Sequence, residues 1–198
     1  MTRRRLLKAA AIGVAALMVP GAVRADEWIR LPARSPLRRV RFLRRTRHAL
    51  DKPRQLSFYN VHTGEALKTV YWEDGDYVPG ALREVNYFFR DFRANEVKSI
   101  DPGLLDLLYD IRSELETSRP FNLVSGYRSP TTNAWLASQS EGVARHSMHI
   151  EGRAADINIP GRQLLFLERV ALALRVGGVG YYPRAGFIHV DTGRIRRW

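Results

Sequence analysis

Cysteine is absent from this 198-residue chain. Its absence excludes disulfides and thiolate-held metals and leaves histidine and carboxylate as the metal-ligand candidates. Long apolar runs are missing too. The most hydrophobic stretch, from Ala9 to Val23, falls short of the about 20 residues that a membrane-spanning helix needs. No acidic residue precedes Asp26, and no internal repeat is visible. Hydrophobic residues still make up 45% of the chain, enough for an ordinary core, which argues against wholesale disorder.

The first segment is defined by its order of residue types. Thr2-Arg3-Arg4-Arg5-Leu6-Leu7-Lys8 precedes the apolar run, and Val23-Arg24-Ala25 offers small residues for cleavage. A charged start, apolar middle and small-residue end read as an export signal over residues 1–25, with an uncleaved anchor as the alternative. The paired arginines followed by Leu-Leu-Lys resemble a twin-arginine signal, which exports folded proteins. The expected location is therefore the periplasm or cell envelope.

Charge is unevenly placed. The whole chain is +12, and residues 26–54 hold ten basic residues against Asp26, Glu27 and Asp51. With five basic residues in 1–25, the stretch 55–198 balances at zero. The basicity thus belongs to an arm, which also contains Pro32, Pro36 and Pro53. Such an arm suits an anionic envelope polymer or membrane surface, or serves only as a solvated tether. Export sets nucleic acid aside as its partner.

From Leu56 the pattern is globular. Leu56–Val61 and Ala66–Trp72 flank His62-Thr63-Gly64-Glu65 and predict a hairpin. Leu82, Val85, Phe89 and Phe92 recur at helical spacing. Asp101-Pro102 opens a second helix with a cap and a first-turn proline, and Leu104, Leu105, Leu108, Ile111 and Leu115 form its stripe. Strands are expected over 121–125 and 154–159, helices over 132–139 and 162–176, and a final hairpin joins Gly178–Tyr182 to Phe187–Asp191. Helices segregated from strands in this way predict a single α+β domain over 55–198.

Two histidines and an aspartate stand out: His149 in a loop, Asp156 entering a strand, and His189 within the last hairpin. Three N/O ligands with a fourth position open to water is the arrangement of a hydrolytic zinc. Alternation along the last strand puts Phe187, His189 and Asp191 on one face. His146 is expected to line a groove rather than to ligate, and Glu151, His62 and His48 are weaker candidates.

Ser147-x-His149-x-x-Gly152-x-Ala154-x-Asp156, with the later His189-Val190-Asp191, resembles the zinc peptidases that include D-Ala-D-Ala dipeptidases and carboxypeptidases, whose fold the Hedgehog signalling domain shares. Within that family the chain looks most like the exported murein endopeptidase K-like branch. Asn60-x-His62-Thr63-Gly64-Glu65, Tyr71-Trp72, Arg90-Asp91 and Ser125-Gly126-Tyr127-Arg128-Ser129 extend the likeness over roughly 55–198. The resemblance implies helices packed on a small antiparallel sheet carrying a zinc groove. It also implies a Zn2+ held by His149, Asp156 and His189, and hydrolysis of peptidoglycan cross-link peptides by a metal-activated water. Arg128 takes the place of the family's site-facing arginine, to grip a substrate carboxylate, polarise the scissile carbonyl or form a structural ion pair. The usual base positions hold Phe187 and Gly186, which cannot transfer a proton. Asp191 is then expected either as the general base or as a group orienting His189 or Arg128. Without a base, the domain would be an inactive, zinc-stabilised binder of cell wall or of a partner.

Overall fold

The computed structural model describes residues 52–139 and 142–198. The expected signal over 1–25, His48 and the basic arm apart from Lys52, Pro53 and Arg54 lie outside the described residues. Within them the chain runs β1 (Arg54–Asn60), β2 (Ala66–Glu73), β3 (Asp76–Tyr77), α1 (Pro79–Phe88), α2 (Pro102–Glu114), β4 (Phe121–Ser125), α3 (Pro130–Gln139), β5 (Ala154–Asn158), α4 (Leu164–Leu174), β6 (Gly178–Tyr182), β7 (Phe187–Asp191) and β8 (Arg196–Arg197). Among the described residues no helix is long and apolar enough to cross a membrane.

The strands form one sheet in the order β3-β2-β1-β4-β5-β7-β6-β8. The α+β class is as expected, but the sheet is neither small nor wholly antiparallel. β1 pairs with β4 and β6 with β8 in parallel, while the other neighbours are antiparallel. β1 and β4 are separated by α1 and α2, and β6 and β8 by β7, so no local turn signal announces either parallel pairing.

Local chemistry fixes the elements. In the first hairpin Asn60 Oδ1 accepts the backbone N–H groups of His62 and Thr63 at 3.0 and 3.2 Å, closing the turn. Asp101 caps α2 by accepting from Gly103 N at 2.9 Å, with Pro102 in the first turn. Arg54, expected as the last residue of the basic arm, instead begins β1 and is buried. It is ion-paired with Asp106, and its guanidinium lies 4.8 Å from the Trp72 ring centre.

The core lies on one face of the sheet. Leu56, Phe58, Phe121, Leu123, Ala155, Ile157, Ile188 and Val190 alternate inward to meet Val85, Leu104, Leu108, Ile111, Leu167 and Ala171 of the helices. Each such large aliphatic contributes about 1.5–3 kcal/mol by leaving water. The strand residues between them, including Asp156 and His189, are therefore directed to the opposite face.

Candidate metal centre

Asp156 and His189 sit directly opposite each other in the antiparallel β5–β7 ladder. Residues so paired project on the same face as neighbours. His149 arrives from the loop after α3. There Ile150 N donates to Ser147 O at 3.0 Å and Arg153 N to Met148 O at 3.0 Å, winding the loop into a tight turn. Gly152 completes it at φ +71°, and a Cβ there would lie 2.4 Å from Ser99 O. The motif glycine is thus required by both backbone angle and space.

The three side chains converge. His149 Nε2 is 3.1 Å from Asp156 Oδ1 and 3.1 Å from His189 Nδ1, and His189 Nδ1 is 2.9 Å from Asp156 Oδ1. All three residues are buried, at 1%, 3% and 7% exposure. Tetrahedral ligands about 2.0–2.1 Å from a zinc ion stand about 3.3 Å apart. The triangle is close to that size, and its two nitrogens and one oxygen match the donor set, so the residues fit a zinc ion.

Each donor is oriented from behind. His149 Nδ1 lies 2.6 Å from the carbonyl oxygen of Gly126, and donating there leaves Nε2 to face the triangle. Arg128 is ion-paired with Asp156 through Nη2 while its Nε donates to Ser125 Oγ at 2.8 Å. The pairing occupies Asp156 Oδ2 and leaves Oδ1 to the centre. His189 Nε2 contacts Asp191 Oδ2 at 3.0 Å.

Of the two roles expected for Asp191, this last contact favours orienting His189 over acting as a general base. Asp191 is 0% exposed and lies on the far side of the His189 ring from the ligand nitrogen. Its oxygens accept from Gly178 N at 3.0 Å, Gly193 N at 2.8 Å, and Arg196 at 2.6 and 3.1 Å. A carboxylate so enclosed cannot reach a water on the open side of the triad. Alternation placed it next to His189, but not on which side of the ring.

The electrostatics follow from these contacts. Burial works against ionising Asp156, yet His149, His189 and Arg128 outweigh it and hold the carboxyl well below the usual range. Asp191 is likewise held low: burial opposes it, but His189, Arg196 and two backbone N–H groups prevail. Burial lowers His149 despite Asp156. For His189 burial also disfavours the cation, but hydrogen bonds to Asp156 and Asp191 prevail and raise it.

The triad opens into a groove of about 530 Å³, lined further by Arg128, His146, Met148, Tyr182, Phe187 and Trp198. His146 is exposed there and is not among the converging donors. Glu151 is exposed and ion-paired with Arg153 at 3.3 Å. His62 stacks on Phe92 at 4.9 Å in the first hairpin turn. A larger cavity, about 640 Å³, lies against β1 and β2 and contains none of the triad, so its size carries no functional weight. Asp91 is a further contributor: buried, it accepts from Ser129 N at 2.9 Å and steadies the loop that carries Gly126 and Arg128. Arg196 and Trp198 gave no sequence signal, being single residues outside any periodic pattern.

Comparison with known proteins places the chain. A protein of Escherichia coli K12 named "Peptidoglycan L,D-endopeptidase MepK" is 48% identical over 147 residues, 74% of this chain and 81% of the relative. A "Probable peptidoglycan L,D-endopeptidase MepK" of Haemophilus influenzae is 43% identical over 148 residues, 74% of this chain and 80% of the relative. The family model described as "Peptidoglycan L,D-endopeptidase MepK" matches residues 48–198, a span that includes the triad, its orienting groups and the groove. The chain belongs to the peptidoglycan L,D-endopeptidase MepK family of peptidases.

Proposed function

We propose that this protein is a zinc-dependent endopeptidase of the cell envelope that hydrolyses L,D cross-link peptide bonds of peptidoglycan. The observation that carries the reading is the convergence of His149, Asp156 and His189 at 2.9–3.1 Å beside an open groove, in a chain of this family. A zinc bound there supplies Lewis acidity and lowers the pKa of a bound water.

The protein's own groups hold and orient. The Gly126 carbonyl fixes the His149 tautomer, Asp191 fixes the His189 ring, and Arg128 fixes the Asp156 carboxylate. Arg128 lines the groove, and Nη1 makes no hydrogen bond among the described residues. That N–H pair is placed to bind a substrate carboxylate or the scissile carbonyl oxygen. With Asp191 withdrawn, His146 is the imidazole outside the triad that lines the groove. Export by the twin-arginine route and attraction of the 26–54 arm to anionic envelope polymer complete the reading.

Isolated sacculi test it. The zinc-loaded protein is expected to convert L,D-linked muropeptide dimers to monomers, as seen by mass spectrometry, and to spare D,D-linked dimers. His149→Ala should be inert and His146→Gln slowed with its zinc retained. Loss of D,D dimers instead, or no release at all, refutes the L,D reading. A zinc-stabilised wall-binding domain without turnover is the second reading, favoured by the lack of any carboxylate but Asp156 among the described groove residues. Sacculus binding with no product from metal-loaded protein decides for it.

A further inference from the structure

The wall of the groove beside His189 is aromatic and exposed. Trp198 is 47% exposed and has its ring centre 5.2 Å from that of His189. Its indole Nε1 donates to the Tyr182 hydroxyl oxygen at 2.7 Å, and Tyr182 stacks on Phe187 at 4.9 Å with 28° between the rings. All three rings line the cavity that contains the triad.

The indole is held in place from several directions. Its backbone continues the β6–β8 pairing, with Trp198 N donating to Val179 O at 3.3 Å and Tyr181 N donating to Trp198 O at 3.0 Å. Arg197 Nε donates to buried Glu168 of α4 at 3.1 Å. Arg196, bonded twice to Asp191, lies 4.8 Å from the indole centre. Gly180, opposite His189 in the ladder, leaves the indole its room, since a Cβ there would lie 2.7 Å from the ring. A large apolar surface fixed in water beside a reactive centre contributes to the fold less than it could if covered. A partner with apolar surface gains by covering it, at little ordering cost to the protein.

We propose that Trp198, Tyr182 and Phe187 form a shelf for the methylene chain of the diamino acid next to the cleaved bond. The proposal rests on the peptidoglycan reading above. Cross-linking one stem peptide to another requires a residue with a second amine, so the linking residue is a diamino acid whose polar ends are separated by methylenes. Aromatic faces suit that hydrocarbon segment, and Arg128 and Arg196, which also line the groove, suit its carboxylates.

The test uses binding, with metal removed by chelation so that nothing is cut. Two synthetic L,D-linked peptides are compared by calorimetry, identical except that the linking diamino acid has three methylenes or one. The unaltered protein is expected to bind the longer about tenfold more tightly, the effect of burying two methylenes. Trp198→Ala should reduce that preference to twofold or less, Trp198→Phe should keep most of it, and both should melt and bind zinc as the parent does. If Trp198→Ala fails to fold, Phe187→Ala on the same peptide pair decides. A preference left intact in the alanine variant, or Trp198-dependent binding of a peptide-free disaccharide, overturns the shelf. Preference without hydrolysis of sacculi by the zinc-loaded protein sinks the hydrolytic reading and leaves the shelf standing. Hydrolysis with the preference intact in the alanine variant does the reverse.

Discussion

His189 uses its two ring nitrogens for different purposes: Nδ1 faces the triad and Nε2 faces Asp191. Asp191→Asn should therefore weaken zinc binding about 10–100-fold, the usual effect of losing an orienting partner. At saturating zinc its turnover should fall much less. Titration calorimetry and kinetics separate the two, and a variant with normal zinc affinity but no turnover would restore Asp191 as the base. A proton competes with the metal for His189. Because the folded protein raises the His189 pKa, acid should begin to weaken zinc binding above the ordinary histidine range, by about tenfold per pH unit for each proton displaced. The sign follows from zinc binding only the neutral ring, so affinity rises with pH until the ring is fully deprotonated. Asp191→Asn removes one of the contacts that raise the pKa and should move the onset of this loss to lower pH. The three side chains that converge were legible in the sequence as a candidate set because their residue types and spacing are restrictive. The side of the His189 ring that Asp191 occupies was not, because alternation assigns a face and no direction within it.

The elements around the centre are tied together at α2. Asp101 caps that helix, accepts from Thr192 Oγ1 at 2.6 Å, and donates its own N–H to Gly152 O at 2.9 Å. One residue thus links a helix terminus, the end of β7 and the His149 loop. Asp101→Ala loses the cap and the Thr192 bond and is expected to cost about 2 kcal/mol, read as a lowered denaturant midpoint at unchanged slope. Asp101→Asn, which can still cap, should lose less. The cap was readable in Asp101-Pro102, and the first hairpin in His62-Thr63-Gly64-Glu65, because these residues act within a few positions. β3 and β8, two residues each, had no pattern to show. The β1–β4 pairing joins Phe58 to Phe121, and partners so far apart leave no spacing signal.

For the molecule as a whole, the centre draws on β5, β7 and two loops, all described parts of one sheet-and-helix body. A metal that binds only this folded arrangement must stabilise it, by about 2.7 kcal/mol at a hundredfold excess over its dissociation constant. Chelation is expected to lower the melting temperature by several degrees and zinc to restore it, while His149→Ala should melt at one temperature with or without zinc. The charge map points to a division of labour, with +7 on residues 26–54 and a body that balances at zero. Deleting residues 26–53 should weaken retention on sacculi at low salt and leave the rate on soluble muropeptides unchanged. Arg54 must stay, because it is part of β1.

The buried core packs on one side of the sheet, and the candidate metal centre sits on the other. A stem peptide in a wall is tethered at both ends to a mesh far larger than the enzyme and cannot be drawn into a deep pocket. On the reading proposed above, a groove open on the face away from the core lets the protein come to the mesh instead. The size of the polymer then ceases to limit which bonds can be cut.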